Sequence, residues 1–251
     1  MNTAVSPRWL IAGEPRPGAP KLYCFAHGGG SATEYLRWGR DMPGAEFQAV
    51  QLPGRGSRFG EPGFASMEAL VAAFLDEVPL SPAPFAFFGH SLGSLIAYEI
   101  TRALRDAGRP LPARLVLSGY PAPHLRHVRV DDPLHHLPDD ELIDRVAEIH
   151  GGIPREVLDS PELRELVVGA LRDDYRVLET YTWRESEPLP VPITVFGGSA
   201  DHPREQVDAW RQHTTADVTV RQFPGGHFYL REEPAPVLRA LAAALRDVGA
   251  P

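Results

Sequence analysis

Apolar residues along this chain fall into two habits: short β-like runs, and longer stretches in which they recur every three or four positions. The runs Lys21–Phe25, Phe47–Leu52, Phe85–Phe88, Arg114–Ser118, Ile193–Phe196 and Val218–Phe223 read as strands, with an edge strand around Trp9–Ala12. The periodic stretches Ala32–Asp41, Ser66–Val78, Leu92–Ala107, Gln206–Gln212 and Ala235–Asp247 read as helices. Strands alternating with helices predict an α/β fold, a mostly parallel central sheet flanked by helices. Right-handed crossovers then place a ligand crevice at the C-terminal ends of the strands.

The alternation fails once. From Gly119 to Leu189 no strand is legible, and helix patterns at Asp139–Ile149 and Glu162–Thr182 flank Gly151-Gly152-Ile153-Pro154. Inside an α/β sheet, such an insertion over residues 119–189 predicts a helical lid above the crevice. A surface helical hairpin without a gating role is the plainer alternative. One domain over residues 1–251 accommodates the whole pattern.

Composition narrows the class. The 251 residues are 43% hydrophobic and 23% charged, which suits a soluble chain with a sizeable core. A net charge of −8 argues against nucleic acid and anionic membrane surfaces as partners. No apolar stretch is long enough to span a membrane, and Met1–Arg8 lacks the pattern of a leader. A lone cysteine, Cys24, sits in an apolar run and reads as a buried thiol, fitting a cytoplasmic location.

The candidate chemistry starts at Gly89-His90-Ser91-Leu92-Gly93, between a predicted strand and a predicted helix. A Gly-x-Ser-x-Gly in that setting is a nucleophile elbow, a turn sharp enough to strain the serine and present its hydroxyl at the sheet edge. A serine hydroxyl needs a base, and His227 follows the last predicted strand through Gly225-Gly226. Asp201 ends the strand and glycine turn Ile193–Asp201 at the same edge, and its alternative use is to cap the helix entered through Pro203. The order Ser91, Asp201, His227 matches the order of a triad built on such an elbow. The oxyanion donors expected are the backbone amides of Leu92 and of Gly28, in the loop Phe25-Ala26-His27-Gly28-Gly29-Gly30-Ser31. His27 and His90 read as structural. His124, His127, His135 and His136 have suggestive spacing but lie among prolines without a completing carboxylate, so no metal site is expected.

Taken together, these motifs resemble a known family. They are Phe25–Ala32, Leu52-Pro53-Gly54-Arg55-Gly56-Ser57-Arg58, the elbow, and His150-Gly151-Gly152-Ile153-Pro154 with Val157-Leu158. Leu171-Arg172-Asp173-Asp174-Tyr175-Arg176, Glu179-Thr180-Tyr181, Phe196–Asp201 and Gly225–Phe228 complete the set. The chain resembles the stand-alone type II thioesterases that accompany polyketide synthases and nonribosomal peptide synthetases, members of the α/β-hydrolase superfamily. It departs from the family pattern at Ala26, where proline is commoner, at Gly28, where alanine is, and at His150, where leucine is. The resemblance implies hydrolysis of acyl groups from the phosphopantetheine arm of acyl or peptidyl carrier proteins, clearing stalled or aberrant chains. It implies no cofactor and no metal, a monomer, and an arginine patch for docking an acidic carrier, with Arg37, Arg40, Arg55 and Arg58 as candidates. Two other readings stay open: a small-molecule carboxylesterase or lipase with the same triad, and an idle hydrolase fold used as a binding module.

Overall fold

The computed structural model describes residues 8–82, 84–125 and 133–248. His127 and the N-terminal positions 1–7 read for a leader lie outside the described residues. In chain order come β1 (Leu10–Ala12), β2 (Lys21–Phe25), α1 (Thr33–Leu36), α2 (Trp38–Asp41), β3 (Glu46–Val50), α3 (Met67–Glu77), β4 (Phe85–His90) and α4 (Leu92–Asp106). They are followed by β5 (Arg114–Ser118), α5 (Asp139–His150), α6 (Arg155–Asp159) and α7 (Pro161–Thr180). The chain then runs through β6 (Ile193–Gly198), α8 (Arg204–Asp208), β7 (Val218–Phe223), α9 (Tyr229–Glu232) and α10 (Pro234–Ala244).

The strands form one seven-stranded sheet in the order β1-β3-β2-β4-β5-β6-β7. Only the β1–β3 pair is antiparallel; the other pairs are parallel. Successive residues of the central strands feed opposite faces, as the period of a strand requires. Tyr23, Phe25, Phe85 and Phe87 enter one apolar cluster with α3 and α4, whereas Leu22, Cys24, Ala86 and Phe88 enter the other with α1, α2 and α10. Burial on both faces is why these strands are unbroken apolar runs in the sequence. Cys24 is fully buried, and burial pushes its thiol pKa well up.

Some boundaries differ from the pattern reading. Ala32–Asp41 is two short helices, α1 and α2, with Tyr35 and Trp38 both packed on Phe88 at ring distances of 5.6 and 5.3 Å. The stretch Gln206–Gln212 is the end of α8 followed by a 3-10 turn over Ala209–His213. Helix α6 has no apolar face of its own to announce it, and none of its residues is buried.

Between β5 and β6 the chain builds α5, α6 and α7, which carry a separate apolar cluster of Leu142, Ile143, Val146, Val168, Leu171 and Tyr175. Ile149, Leu163 and Leu166 of these helices are exposed. No described helix is long and apolar enough to cross a membrane.

Candidate active site

The elbow forms because two glycines let backbone meet backbone. A β-carbon on Gly89 would lie 2.1 Å from the carbonyl oxygen of Gly93, and one on Gly93 would lie 2.1 Å from that of Phe25. Ser91, between β4 and α4, takes φ 54° and ψ −121°, and is the one non-glycine at positive φ among the described residues. Such a conformation costs on the order of 1–3 kcal/mol and persists only where its surroundings impose it. They do so through hydrogen bonds: the Ser91 amide donates to Ser118 O at 2.7 Å. Beneath it, the Ser94 hydroxyl bridges Gly89 O and Ser118 O at 2.8 Å each. Ser94, three residues beyond the nucleophile position, is a brace that the pattern reading passed over.

Asp201 and His227 arrive from neighbouring strands. The loops after β6 and β7 are clasped by Ser199 N donating to Phe223 O at 2.8 Å and Ala200 N to Gly225 O at 3.0 Å. His227 Nδ1 lies 3.0 Å from both carboxylate oxygens of Asp201. The carboxylate only accepts, so Nδ1 carries the proton and Nε2 keeps its lone pair. Asp201 does not cap the following helix, whose N-cap is Pro203 with no side-chain bond.

Ser91 and His227 line one cavity of 440 Å³ with Gly28, Tyr120, His150 and Tyr175. Among the described residues no hydrogen bond joins the Ser91 hydroxyl to His227, although both face that cavity. In unliganded sites such bonds are often long and close only around substrate. A hydroxyl and an imidazole facing one cavity, the imidazole oriented by a carboxylate behind it, can activate an oxygen nucleophile for acyl transfer.

Two amide donors are available for a developing oxyanion. Leu92 is the first residue of α4, so its N–H lies at the positive end of the helix. In the glycine loop, Gly30 N is spent on His27 O at 2.8 Å and Gly29 N on Asp174 Oδ2 at 2.7 Å. Gly28, which faces the cavity, is the loop glycine whose amide has no acceptor among the described residues.

Asp174, on α7, anchors more than that amide. Arg55 grips it bidentately, Nη1 to Oδ2 and Nη2 to Oδ1 at 2.6 Å each, and also donates to Gly30 O at 3.1 Å and Pro53 O at 3.1 Å. Both partners are buried. The expectation that Arg55 is a docking arginine is therefore corrected: it fastens the glycine loop to α7. Arg58 is also withdrawn from the surface, lying 4.4 Å over the Trp9 ring and bonded to Gln51 O at 3.0 Å. Arg37 and Arg40 are exposed. Both Pro-Gly-Arg-Gly and Arg-Asp-Asp-Tyr stood in the sequence, but nothing local linked residues 119 positions apart.

The other histidines surround the site. His90 is fully buried with Nδ1 2.9 Å from Ser118 Oγ, and burial first, then the nearby His227, holds its pKa well below the usual range. His27 Nε2 accepts from Arg231 Nη2 at 3.1 Å, and burial followed by that guanidinium depresses its pKa. Both are neutral structural rings. His135 Nδ1 meets Glu179 Oε2 at 2.6 Å, and His124 Nδ1 lies 2.7 Å from His213 Nε2. His213 is bonded on its other side to the Tyr98 hydroxyl at 2.8 Å, and burial, then His124, brings its pKa down to about 4. Asp201, His202 and His227 bring ligand-type atoms within 4.8 Å of one another. Those of Asp201 and His227 are engaged with each other.

A family model described as a thioesterase domain matches residues 20–245. The chain belongs to the thioesterase family. It is 32% identical over 249 residues to the gramicidin S biosynthesis protein GrsT of Aneurinibacillus migulanus, covering 97% of this chain and 96% of that one. It is 36% identical over 235 residues to the thioesterase PikA5 of Streptomyces venezuelae, covering 90% and 81%. Among solved structures, the type II thioesterase BorB from the borrelidin biosynthetic cluster superposes with a TM-score of 0.84 at 34% identity, covering 97% and 100%. The resemblance to type II thioesterases read from the motifs holds, and the sheet is that of an α/β-hydrolase. As a thioesterase, the chain is a hydrolase of thioesters.

Proposed function

We propose that this thioesterase removes acyl groups from the phosphopantetheine arm of acyl or peptidyl carrier proteins, clearing aberrant or stalled chains from an assembly line. The observation that carries the chemistry is that His227, which lines the same cavity as Ser91, is held at 3.0 Å by Asp201. Ser91 Oγ attacks the thioester carbonyl while His227 Nε2 takes its proton, and Asp201 stabilises the imidazolium. The tetrahedral oxyanion is received by the amides of Leu92 and Gly28, donors that need no reorganisation because each is fixed by its own element. Collapse breaks the C–S bond, the imidazolium protonates the departing thiolate, and an acyl-Ser91 ester remains. Water deprotonated by His227 then attacks that ester and releases the free acid. The triad and oxyanion amides suffice for an electrophilic thioester without a metal or organic cofactor.

In this reading the chain is one domain acting as a cytoplasmic monomer, and residues 119–189 are a lid, supported by their helices' contribution of Val146 and Tyr175 to the cavity wall. The exposed Arg37 and Arg40 are the remaining candidates for meeting an acidic carrier. The test is a hydrolysis screen of acyl-loaded carrier proteins, matched soluble acyl thioesters and free esters, with Ser91→Ala as control. Faster turnover of carrier thioesters, lost in Ser91→Ala, is expected. Equal or better turnover of free esters would instead make the protein a carboxylesterase.

A further inference from the structure

A second cavity of 780 Å³ adjoins the one that holds Ser91. His27, Gly28, Val146 and Phe228 line both, so these four residues are the partition. The second cavity is walled mainly by apolar side chains, among them Trp38, Ile153, Val157, Leu171 and Leu238. Its size falls in the range of about 300–1,000 Å³ typical of small-molecule sites.

Phe228 is the side chain of the partition that is only partly buried, since Gly28 has none and His27 and Val146 are buried. What holds the ring is specific. The Arg231 guanidinium sits 4.4 Å above it, and the His27 ring meets its edge at 4.9 Å. On another side the strap after α5 presses directly on it: a β-carbon on Gly152, which has φ +76°, would lie 2.1 Å from the Phe228 ring. Arg231 is itself tied to that strap through Gly152 O at 2.7 Å and to Glu34 at 2.7 and 3.0 Å. Arg231 thus holds the ring, the strap and α1 in one arrangement.

We propose that Phe228 is the chain-length stop of this enzyme, and that the second cavity is an acyl-chain subsite closed off by its ring and opened when the ring swings away. The occupant is the distal, apolar part of an acyl chain whose carbonyl is at Ser91, because the two spaces share a wall and the second offers mostly hydrocarbon. This rests on the thioesterase reading above, and the test separates the two. Hydrolysis of soluble butanoyl and dodecanoyl thioesters is compared in wild type, Phe228→Ala and Arg231→Met. The ratio of kcat/KM for dodecanoyl over butanoyl is expected to rise roughly tenfold or more in Phe228→Ala, given the pocket length added, and by less in Arg231→Met. A variant that was merely disturbed would lose both substrates alike. An unchanged ratio, or a uniform fall, overturns the proposal. Binding of a fluorescent long-chain fatty acid to Ser91→Ala, with and without Phe228→Ala, reads the same subsite without catalysis. Tighter binding in the double variant is expected, and equal binding overturns the proposal. Wild type that hydrolyses no thioester would refute the catalytic reading alone and leave that binding result to judge the subsite.

Discussion

Around Ser91 the structure is held by backbone meeting backbone, whereas α5–α7, packed on their own apolar cluster, are also tied by charge to the loops after β2 and β3. At the elbow, the sites of Gly89 and Gly93 are so close to carbonyl oxygens that only hydrogen fits. The hydroxyl of Ser94 ties the carbonyls of Gly89 and Ser118 together. The insertion joins the sheet differently. Asp174 meets Arg55 and Gly29 N, and Arg231 reaches Gly152 O. Within the insertion, Arg172 donates to His135 O and Leu137 O at 2.6 and 2.7 Å. Close packing offers one arrangement and no neighbour to it, which is what a strained nucleophile requires. Ion pairs and carbonyl bonds can be broken and remade without reshaping a core.

Five variants and a pH titration can break or sharpen this contrast. The largest effect falls on chemistry alone: Ser91→Ala should lower kcat by about 10⁴-fold or more while the melting temperature stays near wild type. Gly93→Ala attacks the packing directly, and with Phe25 O at 2.1 Å from the new β-carbon it should cost about 4 kcal/mol or more in denaturant unfolding. Asp174→Asn leaves the buried Arg55 charge without its counter-charge and should cost about 3 kcal/mol. Arg55→Met with Asp174→Leu should recover most of that stability yet keep kcat low, because Gly29 N has then lost its acceptor. Recovery of both would mean that the pair is structural only.

The pH arm concerns His213, on the sheet side. Its pKa in the folded chain is about 4 against an ordinary 6.5, so the unfolded chain takes up the proton first. Its contribution to stability is complete above pH 6.5 and is lost as pH falls toward 4. His213→Gln should flatten that part of the melting-temperature profile. A profile unchanged by the substitution would assign the acid sensitivity to other groups. The smallest effect is expected at the exposed Leu166 of α7, where Leu166→Gln should alter stability by no more than about 0.5 kcal/mol.

The same contrast explains what could be read from the chain. Strands β2, β4, β5 and β6 were legible because burial on both faces leaves a continuous apolar signature. The proximity of Asp201 and His227 was legible because each follows a strand through a glycine turn at one edge of the sheet, and their side chains lie 3.0 Å apart. Arg55 was misjudged because an arginine in a glycine loop looks the same whether it faces solvent or a carboxylate on a distant helix. Only the fold brings Asp174 to it. The split of α1 from α2 was hidden for a related reason, since Tyr35 and Trp38 both satisfy a helical period yet are placed by their shared contact with Phe88. Phe228 and Arg231 left no periodic trace, because a partition between two cavities is a property of their neighbours.

Asp174 has a mechanical consequence. One carboxylate receives both the loop amide beside Gly28 and the guanidinium that grips the loop carbonyl at Gly30. A helix that carried Asp174 away would drag Gly29 and Gly30 with it. In the lid proposed for residues 119–189, α7 is the doorpost, because the clamp on Asp174 ties that helix to the glycine loop.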